Sequence, residues 1–304
     1  MKDHVTTSLV QADRLNQLQQ CVFDTLDVSD TTRQDYASRI KHFIRYLGDN
    51  ELNCRTFLEY KRFLGQIDTY SISTKNKYLI SARVFLDTLY KMGVIPIRIT
   101  DNVRSFSQGS LHKKDGLNDS DIQKIQDYCA TLAPTHKTIR LKAILALLIF
   151  QGLRQIEISR LNVNDIDLKN RCAYILGKGR DDKERIHLHP HTIKALKEYL
   201  QSLRFRDGAL FRSQSNFSNG SRLTTKSIRE EIRRLLDTLQ IDGSTHGFRH
   251  YFITKLIRSY KGELLMVSKY SRHRSIQMLE VYNDEIIREE DLPRYYEVFN
   301  NISL

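Results

Sequence analysis

The stretch His246-Gly247-Phe248-Arg249-His250 lies in the last quarter of the chain and opens a predicted helix. Arg272-His273 opens another, and Tyr282 follows that histidine by nine residues. Positions i and i+3 of a helix share a face, so His246 and Arg249 should point together. An arginine can hold two phosphate oxygens, a histidine can move a proton near neutral pH, and a tyrosine hydroxyl can attack as a nucleophile. Together these groups have the chemistry that covalent phosphoryl transfer requires.

A further arginine follows an apolar segment in the middle of the chain. Residues 139–150 are almost wholly apolar, which is too short for a membrane span and typical of a buried helix. Gly152-Leu153-Arg154-Gln155-Ile156-Glu157 then places Arg154 at the start of the next helix, with Glu157 one turn on, where it can orient the guanidinium. Taken alone, the motif favours a purely structural Arg154–Glu157 ion pair.

Between these segments, residues 172–189 change to a period of two on either side of the polar turn 177–183, which predicts a β-hairpin. Lys178 is flanked by two glycines in that turn. A lysine in a mobile loop suits protonation of a leaving oxygen, although an ordinary basic turn is the alternative. Three alternating histidines, at 187, 189 and 191, are interpreted as exposed residues at the strand end. A zinc site needs three or four convergent ligands, and Pro190 interrupts the strand between them.

The pattern H-x-x-R, then Ser-Arg-His, then Tyr resembles the C-terminal signature of the tyrosine recombinases, the phage-integrase and Xer-like family of site-specific DNA recombinases. G-L-R-x-x-E resembles the first arginine box of that family, and Gly177-Lys178-Gly179 resembles its hairpin lysine. One departure stands out: Ser271-Arg272 precedes His273 where the family usually has Leu-Gly.

The resemblance implies six catalytic residues: Arg154, Lys178, His246, Arg249, His273 and Tyr282. Tyr282 would attack a DNA phosphorus, giving a 3′-phosphotyrosyl link and a free 5′-hydroxyl, and exchange would proceed through a Holliday junction. The resemblance implies no metal ion and no other cofactor. Two alternatives remain open: DNA relaxation like that of a type IB topoisomerase, and a non-catalytic sequence-specific DNA-binding protein.

The expected fold is mainly α with a small β-hairpin or sheet (α+β). Helical periodicity dominates residues 1–108, which resemble the helical, SAM-like core-binding domain of the family, and 109–304 would form the catalytic domain. A linker is expected at about 94–116, where periodicity is lost. The apolar tail after Tyr282 is expected to dock on a neighbouring subunit; packing on its own domain is the alternative.

Composition agrees with a polyanionic partner. The 304 residues carry a formal net charge of +12, and both predicted domains have a basic surplus. The resemblance implies double-stranded DNA with inverted binding arms, a tetramer on two duplexes, and room for accessory proteins. Four dispersed cysteines without a C-x-x-C pair, no apolar leader and no run of about 18 apolar residues predict a cytoplasmic, nucleoid-associated protein without membrane contact.

Overall fold

The computed structural model describes residues 12–107, 116–213, 220–273 and 275–297. The chain divides into two units, Met1–Ser110 and Leu111–Leu304. In the described part of the first unit the regular elements are helices α1 (Ala12–Asp24), α2 (Asp30–Leu47), α3 (Thr56–Gln66) and α4 (Ile72–Lys91). Ser29 and Ser71 begin α2 and α4 because each side chain accepts a hydrogen bond from the backbone N–H three residues on.

The first unit has its own apolar core, built from the inward faces of these helices. Its largest fully buried side chains are Tyr60, Phe23, Phe43, Phe57 and Phe85. The irregular segment 94–107, part of the predicted linker, belongs to this core as well, because Ile95, Ile99 and Val103 are buried in it. Residues 94–107 of the predicted linker are therefore packed on the first unit. Residues 108–115 of the linker lie outside the described residues.

The second unit is helical around one small sheet. Its elements are α5 (Asp119–Thr131), α6 (His136–Gln151), α7 (Gln155–Arg160), β1 (Ile166–Asp167), β2 (Cys172–Leu176), β3 (Lys183–His187), α8 (Pro190–Ser202), α9 (Thr225–Thr238), α10 (Thr245–Ser259), α11 (Leu264–Ser271) and α12 (Gln277–Glu297). The sheet is antiparallel with strand order β1-β2-β3. The predicted hairpin is β2–β3, and the mainly α fold class is confirmed.

Helix α6 is the centre of the second unit and packs against α8 and α10. The central residues of α6 are buried almost all round its circumference, as its continuous apolar sequence predicts. Gly152 ends the helix in the left-handed conformation, with φ of 56°, and its N–H bonds to Leu147 O. The chain then turns directly into α7, so the carboxyl end of α6 and the amino end of α7 lie side by side.

The prediction that Arg272-His273 opens a helix is wrong. Helix α11 ends at Ser271, Arg272 is left-handed with φ of 58°, and α12 begins only at Gln277. A left-handed residue ends a right-handed helix, so His273 lies in the connection between the two helices. Helix α12 is 21 residues long and continues without a break through Pro293. No helix in the described ranges is both long and apolar enough to cross a membrane.

Candidate active site

Arg249 is the most enclosed cation of the site. It lies in the second turn of α10 and is 2% exposed. Its Nη1 donates to Gly152 O and its Nη2 to Ser271 O, both at 2.7 Å. These carbonyls stand at the carboxyl ends of α6 and α11, where helices leave acceptors unpaired and carry partial negative charge. Burial, together with nearby Arg154 and Arg272, lowers the pKa of Arg249 to about 9, so it remains charged at neutral pH.

Arg154 is held by its own helix, α7. Its backbone N–H donates to Glu157 Oε2 at 2.8 Å, and its Nη1 donates to Glu157 Oε1 at 3.0 Å. The Glu157 side chain is 1% exposed, whereas that of Arg154 is 31% exposed. The carboxylate therefore orients a guanidinium that stays open to solvent on its other side. The Arg154–Glu157 pair is real, and it leaves the arginine free to bind an anion.

Arg272 also reaches this carboxylate, and no local sequence pattern predicts this long-range contact. Its Nη2 donates to Glu157 Oε2 at 3.1 Å and its Nη1 to Gln151 O at 3.3 Å. The side chain is 5% exposed. Burial lowers the pKa of Arg272, and the Glu157 charge opposes that shift. A third guanidinium is thus part of the site, next to His273 in the chain.

His273 contacts both Arg249 and the end of α11. Its Nδ1 lies 2.8 Å from Ser271 Oγ, and its Nε2 lies 3.4 Å from Arg249 Nη2. Burial lowers the pKa of His273 to about 3, and the charges of Arg249 and Arg154 act in the same direction. His273 is therefore neutral near pH 7, and it can serve as a hydrogen-bond donor rather than as a further cation.

Lys178 approaches the same place from the β2–β3 turn. It is exposed, and it lines a cavity of about 180 Å³ together with Arg154 and His273. The turn is attached to the helical core, since Arg160 Nη1 at the end of α7 donates to Gly177 O at 3.1 Å. The hairpin lysine and the two residues on the helical side therefore face one volume.

Tyr282 lies in the first half of α12, and its ring is packed against α10. It is 8% exposed and belongs to a small apolar cluster with Leu279. The His250 ring lies 5.1 Å from the Tyr282 ring and 4.6 Å from the His246 ring. The Tyr282 phenol slightly opposes the lowering of the Arg249 pKa. The tyrosine helix thus packs against α10, the helix that carries Arg249, in the same chain.

All six residues predicted from the sequence lie around this part of the second unit. Their catalytic roles stay predictions. Two residues near the site, Arg272 and His250, were assigned no role from the sequence. The spacing of four residues between His246 and His250 puts both rings on one helix face, and this was the available signal for His250.

The three alternating histidines at the hairpin end, at 187, 189 and 191, are exposed, as interpreted from the sequence. The His189 ring stacks on Phe150 at 4.8 Å and on His191 at 5.2 Å, and its Nδ1 accepts from the His191 backbone. In the parts of the chain that the structure describes, no group of three or more His, Cys, Asp or Glu side chains is placed to hold a metal ion.

Comparison with known proteins shows which family the chain belongs to. The sequence profile of the phage integrase family matches residues 116–287, more than half of the chain. Tyrosine recombinase XerC of Shewanella amazonensis is 26% identical over 282 residues, which cover 82% of this chain and 91% of that protein.

Two solved structures share the fold. XerH site-specific recombinase, bound to a palindromic difH substrate after cleavage, superposes with a TM-score of 0.68 at 20% identity, covering 92% of this chain and 83% of that one. A lambda integrase dimer bound to a COC′ core site superposes with a TM-score of 0.70 at 14% identity, covering 90% of this chain and 95% of that one. With the matched profile, these similarities lead to one conclusion: the chain belongs to the phage integrase family, the family of the tyrosine recombinases.

Proposed function

We propose that this protein is a site-specific DNA recombinase that cuts and rejoins double-stranded DNA through a 3′-phosphotyrosyl intermediate. The observation that carries the proposal is the packing of the Tyr282 ring against His250 and the apolar side chains of α10, the helix that also carries His246 and Arg249, within one chain. Guanidinium groups with fixed backbone partners can bind the non-bridging oxygens of a phosphodiester without rearranging during the reaction.

In the proposed cleavage step the Tyr282 hydroxyl oxygen attacks the phosphorus and the bond from phosphorus to the 5′-oxygen breaks. His246 takes the phenol proton, and Lys178 protonates the departing 5′-oxygen. Arg154 and Arg249 offset the charge that accumulates on the five-coordinate phosphorus. Because these cations supply the charge that Mg²⁺ supplies elsewhere, the step is proposed to need no metal, and the retained phosphotyrosyl bond removes the need for ATP.

His273 is proposed to donate from Nε2 to a non-bridging oxygen. It is neutral, so the donation requires the tautomer in which Nε2 carries the proton and Nδ1 accepts from the Ser271 hydroxyl, 2.8 Å away. The fully buried Ser271 hydroxyl can stabilise this tautomer by donating to Nδ1. Arg249 Nη2 lies 3.4 Å from Nε2 and can only donate, so the proposal requires the phosphate oxygen to replace that contact when DNA binds.

For strand exchange, the 5′-hydroxyl of a second duplex attacks the phosphotyrosyl link, the tyrosine leaves, and a Holliday junction forms. Such a reaction needs several subunits on two duplexes, and we propose a tetramer. After Tyr282, the described part of α12 exposes four large apolar side chains on the single chain: Ile287, Leu292, Tyr295 and Tyr296. An apolar surface of this kind supports docking on a neighbouring subunit, head to tail, in a closed ring.

Covalent trapping on a nicked suicide duplex tests the nucleophile. Wild-type protein should form a covalent protein–DNA complex, and Tyr282→Phe should form none because its ring lacks the attacking oxygen. Tyr270→Phe is the matched control, since Tyr270 is 48% exposed, precedes His273 and should leave trapping unchanged. If Tyr282→Phe still trapped DNA, the assignment of the nucleophile would be wrong.

The acid is tested with a duplex whose leaving 5′-oxygen is replaced by sulfur. A thiolate leaves without a proton, so Lys178→Ala should be slow on the oxygen substrate and regain most of the wild-type rate on the sulfur substrate. Arg180→Ala alters the charge of the same turn without removing the acid, and sulfur should not selectively rescue it. Equal slowing of Lys178→Ala on both substrates would remove the acid assignment.

The choice of proton acceptor is tested separately, because His250 lies between His246 and Tyr282. If His246 accepts the proton, His246→Ala should reduce trapping far more than His250→Ala, and the reverse order would transfer the role to His250. A topoisomerase-like activity is tested with supercoiled DNA that carries two copies of a sequence on which the protein forms the covalent complex. Relaxation of this DNA by single subunits without recombination between the two copies would favour the topoisomerase-like activity.

A further inference from the structure

Arg272 occupies a backbone conformation that arginine rarely adopts. Its φ of 58° and ψ of 39° place it in the left-handed region, directly after the last residue of α11. Contact between Cβ and the backbone disfavours this region for every residue except glycine, and glycine is the usual residue here in the family that the sequence resembles. An arginine at this position strains the chain, so its side chain is expected to supply a compensating interaction.

The contacts of the side chain identify that interaction. The guanidinium is buried, and it bridges the Glu157 carboxylate and the Gln151 carbonyl. Glu157 Oε2 thereby accepts from both Arg272 Nη2 and the backbone N–H of Arg154, while Oε1 accepts from Arg154 Nη1. One buried carboxylate is shared by two arginines.

Sharing the carboxylate changes the charge that a phosphate would meet. With Arg154 as its single cationic partner, the Glu157 charge would cancel that of the arginine that faces the cavity. With Arg272 bound as well, the group of three carries one net positive charge, and the open guanidinium belongs to Arg154. The Arg272–Glu157 pair is almost fully buried. Because little water screens its charges, they act strongly on the electrostatic potential at Arg154.

The same contacts fix the backbone on both sides of the site. Gln151 O and Gly152 O are consecutive carbonyls at the end of α6; the first accepts from Arg272 and the second from Arg249. Arg249 also holds Ser271 O, which directly precedes Arg272. The ends of α6 and α11 are therefore tied by two arginines, and the next residue after this tie is His273.

We propose that Arg272 is a positioning residue of the phosphate site: it occupies Glu157 and the end of α6, keeps the charge of Arg154 available to the scissile phosphate, and fixes the chain that carries His273. This rests on the proposed function for the nature of the anion. Arg272 itself is assigned no contact with DNA. Its role is to act through Arg154 and His273.

A double-mutant cycle tests this role, with single-turnover cleavage measured at saturating suicide duplex. Arg272→Gly relieves the backbone strain, but the negative charge of Glu157 is then no longer shared and acts on Arg154. The rate of cleavage should fall on the order of 10- to 100-fold. In a Glu157→Gln background there is no charge left to neutralise, and the contact of Arg272 with Gln151 O at the end of α6 is the part of its role still lost. The same substitution should therefore reduce the rate by a much smaller factor, less than about threefold. A loss by the same factor in both backgrounds would overturn the proposal, since Arg272 would then not act through the Glu157 carboxylate.

Two further variants separate charge from strain. Arg272→Ala keeps the unfavourable backbone conformation without the side chain and should cleave no faster than Arg272→Gly. Arg272→Lys keeps one charge near Glu157 and should recover part of the rate. Cleavage by Arg272→Lys as slow as that of Arg272→Ala would contradict a role for the charge.

A measurement without DNA keeps this inference separate from the proposed recombinase activity. The charge of Arg272 contributes to the low pKa of His273, so NMR titration of the histidine rings should show a higher pKa for His273 in Arg272→Gly than in wild-type protein. Failure of wild-type protein to trap any duplex would count against the proposed function alone. An unchanged His273 titration in folded Arg272→Gly would count against the positioning role, whatever the protein does to DNA.

Discussion

Gly152→Ala should strongly destabilise the second unit. Gly152 ends α6 with φ of +56°, and a Cβ added there would lie 2.3 Å from Phe252 Cδ1 and 2.8 Å from Phe252 Cγ. The first feature penalises any side chain, and the second requires a half-buried aromatic ring to move. Both costs apply at the residue whose carbonyl binds Arg249, so stability and cleavage should decline together.

The magnitude follows from the two costs. Placing alanine at a positive φ costs about 1 kcal/mol relative to glycine. Forcing an extra carbon into a filled space typically costs about 1–3 kcal/mol more. The free energy of unfolding should therefore fall by about 2–4 kcal/mol, which urea denaturation followed by circular dichroism can measure.

Gly220→Ala is the matched control for Gly152→Ala. Gly220 lies in the same unit and also has positive φ, +78°, but no atom stands within 4 Å of the added carbon. Its substitution should cost only the strain, about 1 kcal/mol. The cost of Gly152→Ala should likewise fall to about 1 kcal/mol in a Phe252→Ala background, because the ring that it meets is gone. Equal costs for the two glycine substitutions in the wild-type background would refute the reasoning.

Three other outcomes are expected. Ser271→Ala removes the partner of His273 Nδ1 and should slow single-turnover cleavage about tenfold at unchanged DNA affinity; an unchanged rate would argue against tautomer selection. Glu231→Ala leaves buried Arg140 without its carboxylate, so urea unfolding should show a loss of about 3–5 kcal/mol, whereas exposed Glu230→Ala should stay within about 0.5 kcal/mol. The pKa of His273 is about 3 in the folded protein and 6.5 in an ordinary setting. Between these two pH values the unfolded chain binds more protons than the folded one. The contribution of His273 to the free energy of unfolding should therefore rise with pH up to about 6.5 and then level off. His273→Asn should show a shallower rise in urea unfolding measured from pH 4 to 7, and an identical slope would mean that His273 titrates normally.

The parts of the fold that local sequence determines were predictable. The apolar run before Gly152 predicts a buried helix and its end, and the period of two in 172–189 predicts the hairpin, because both signals arise from neighbouring residues. Strand β1 was not foreseen, since two residues carry no measurable period. The continuation of α12 through Pro293 is likewise contrary to what proline predicts on its own.

The candidate site divides in the same way. Arg154 and Glu157 are three residues apart, so their pairing follows from helix geometry. The approach of Arg272 to Glu157 joins residues 115 positions apart, and it depends on how α11 ends against α6. The left-handed conformation that permits this approach is a property of the folded chain. The sequence could therefore mark Arg272 as unusual without revealing its partner.

The two carbonyls that hold Arg249 have a consequence for when the protein becomes able to act. One lies 97 residues before the arginine in sequence and the other 22 residues after it. A nascent or partly opened chain lacks one of these supports, and its guanidinium then has no fixed direction. Arg249 is therefore held in place only after the second unit has folded and brought these distant parts of the chain together. Local unfolding of either helix end would release the guanidinium and should abolish DNA cleavage until that end refolds.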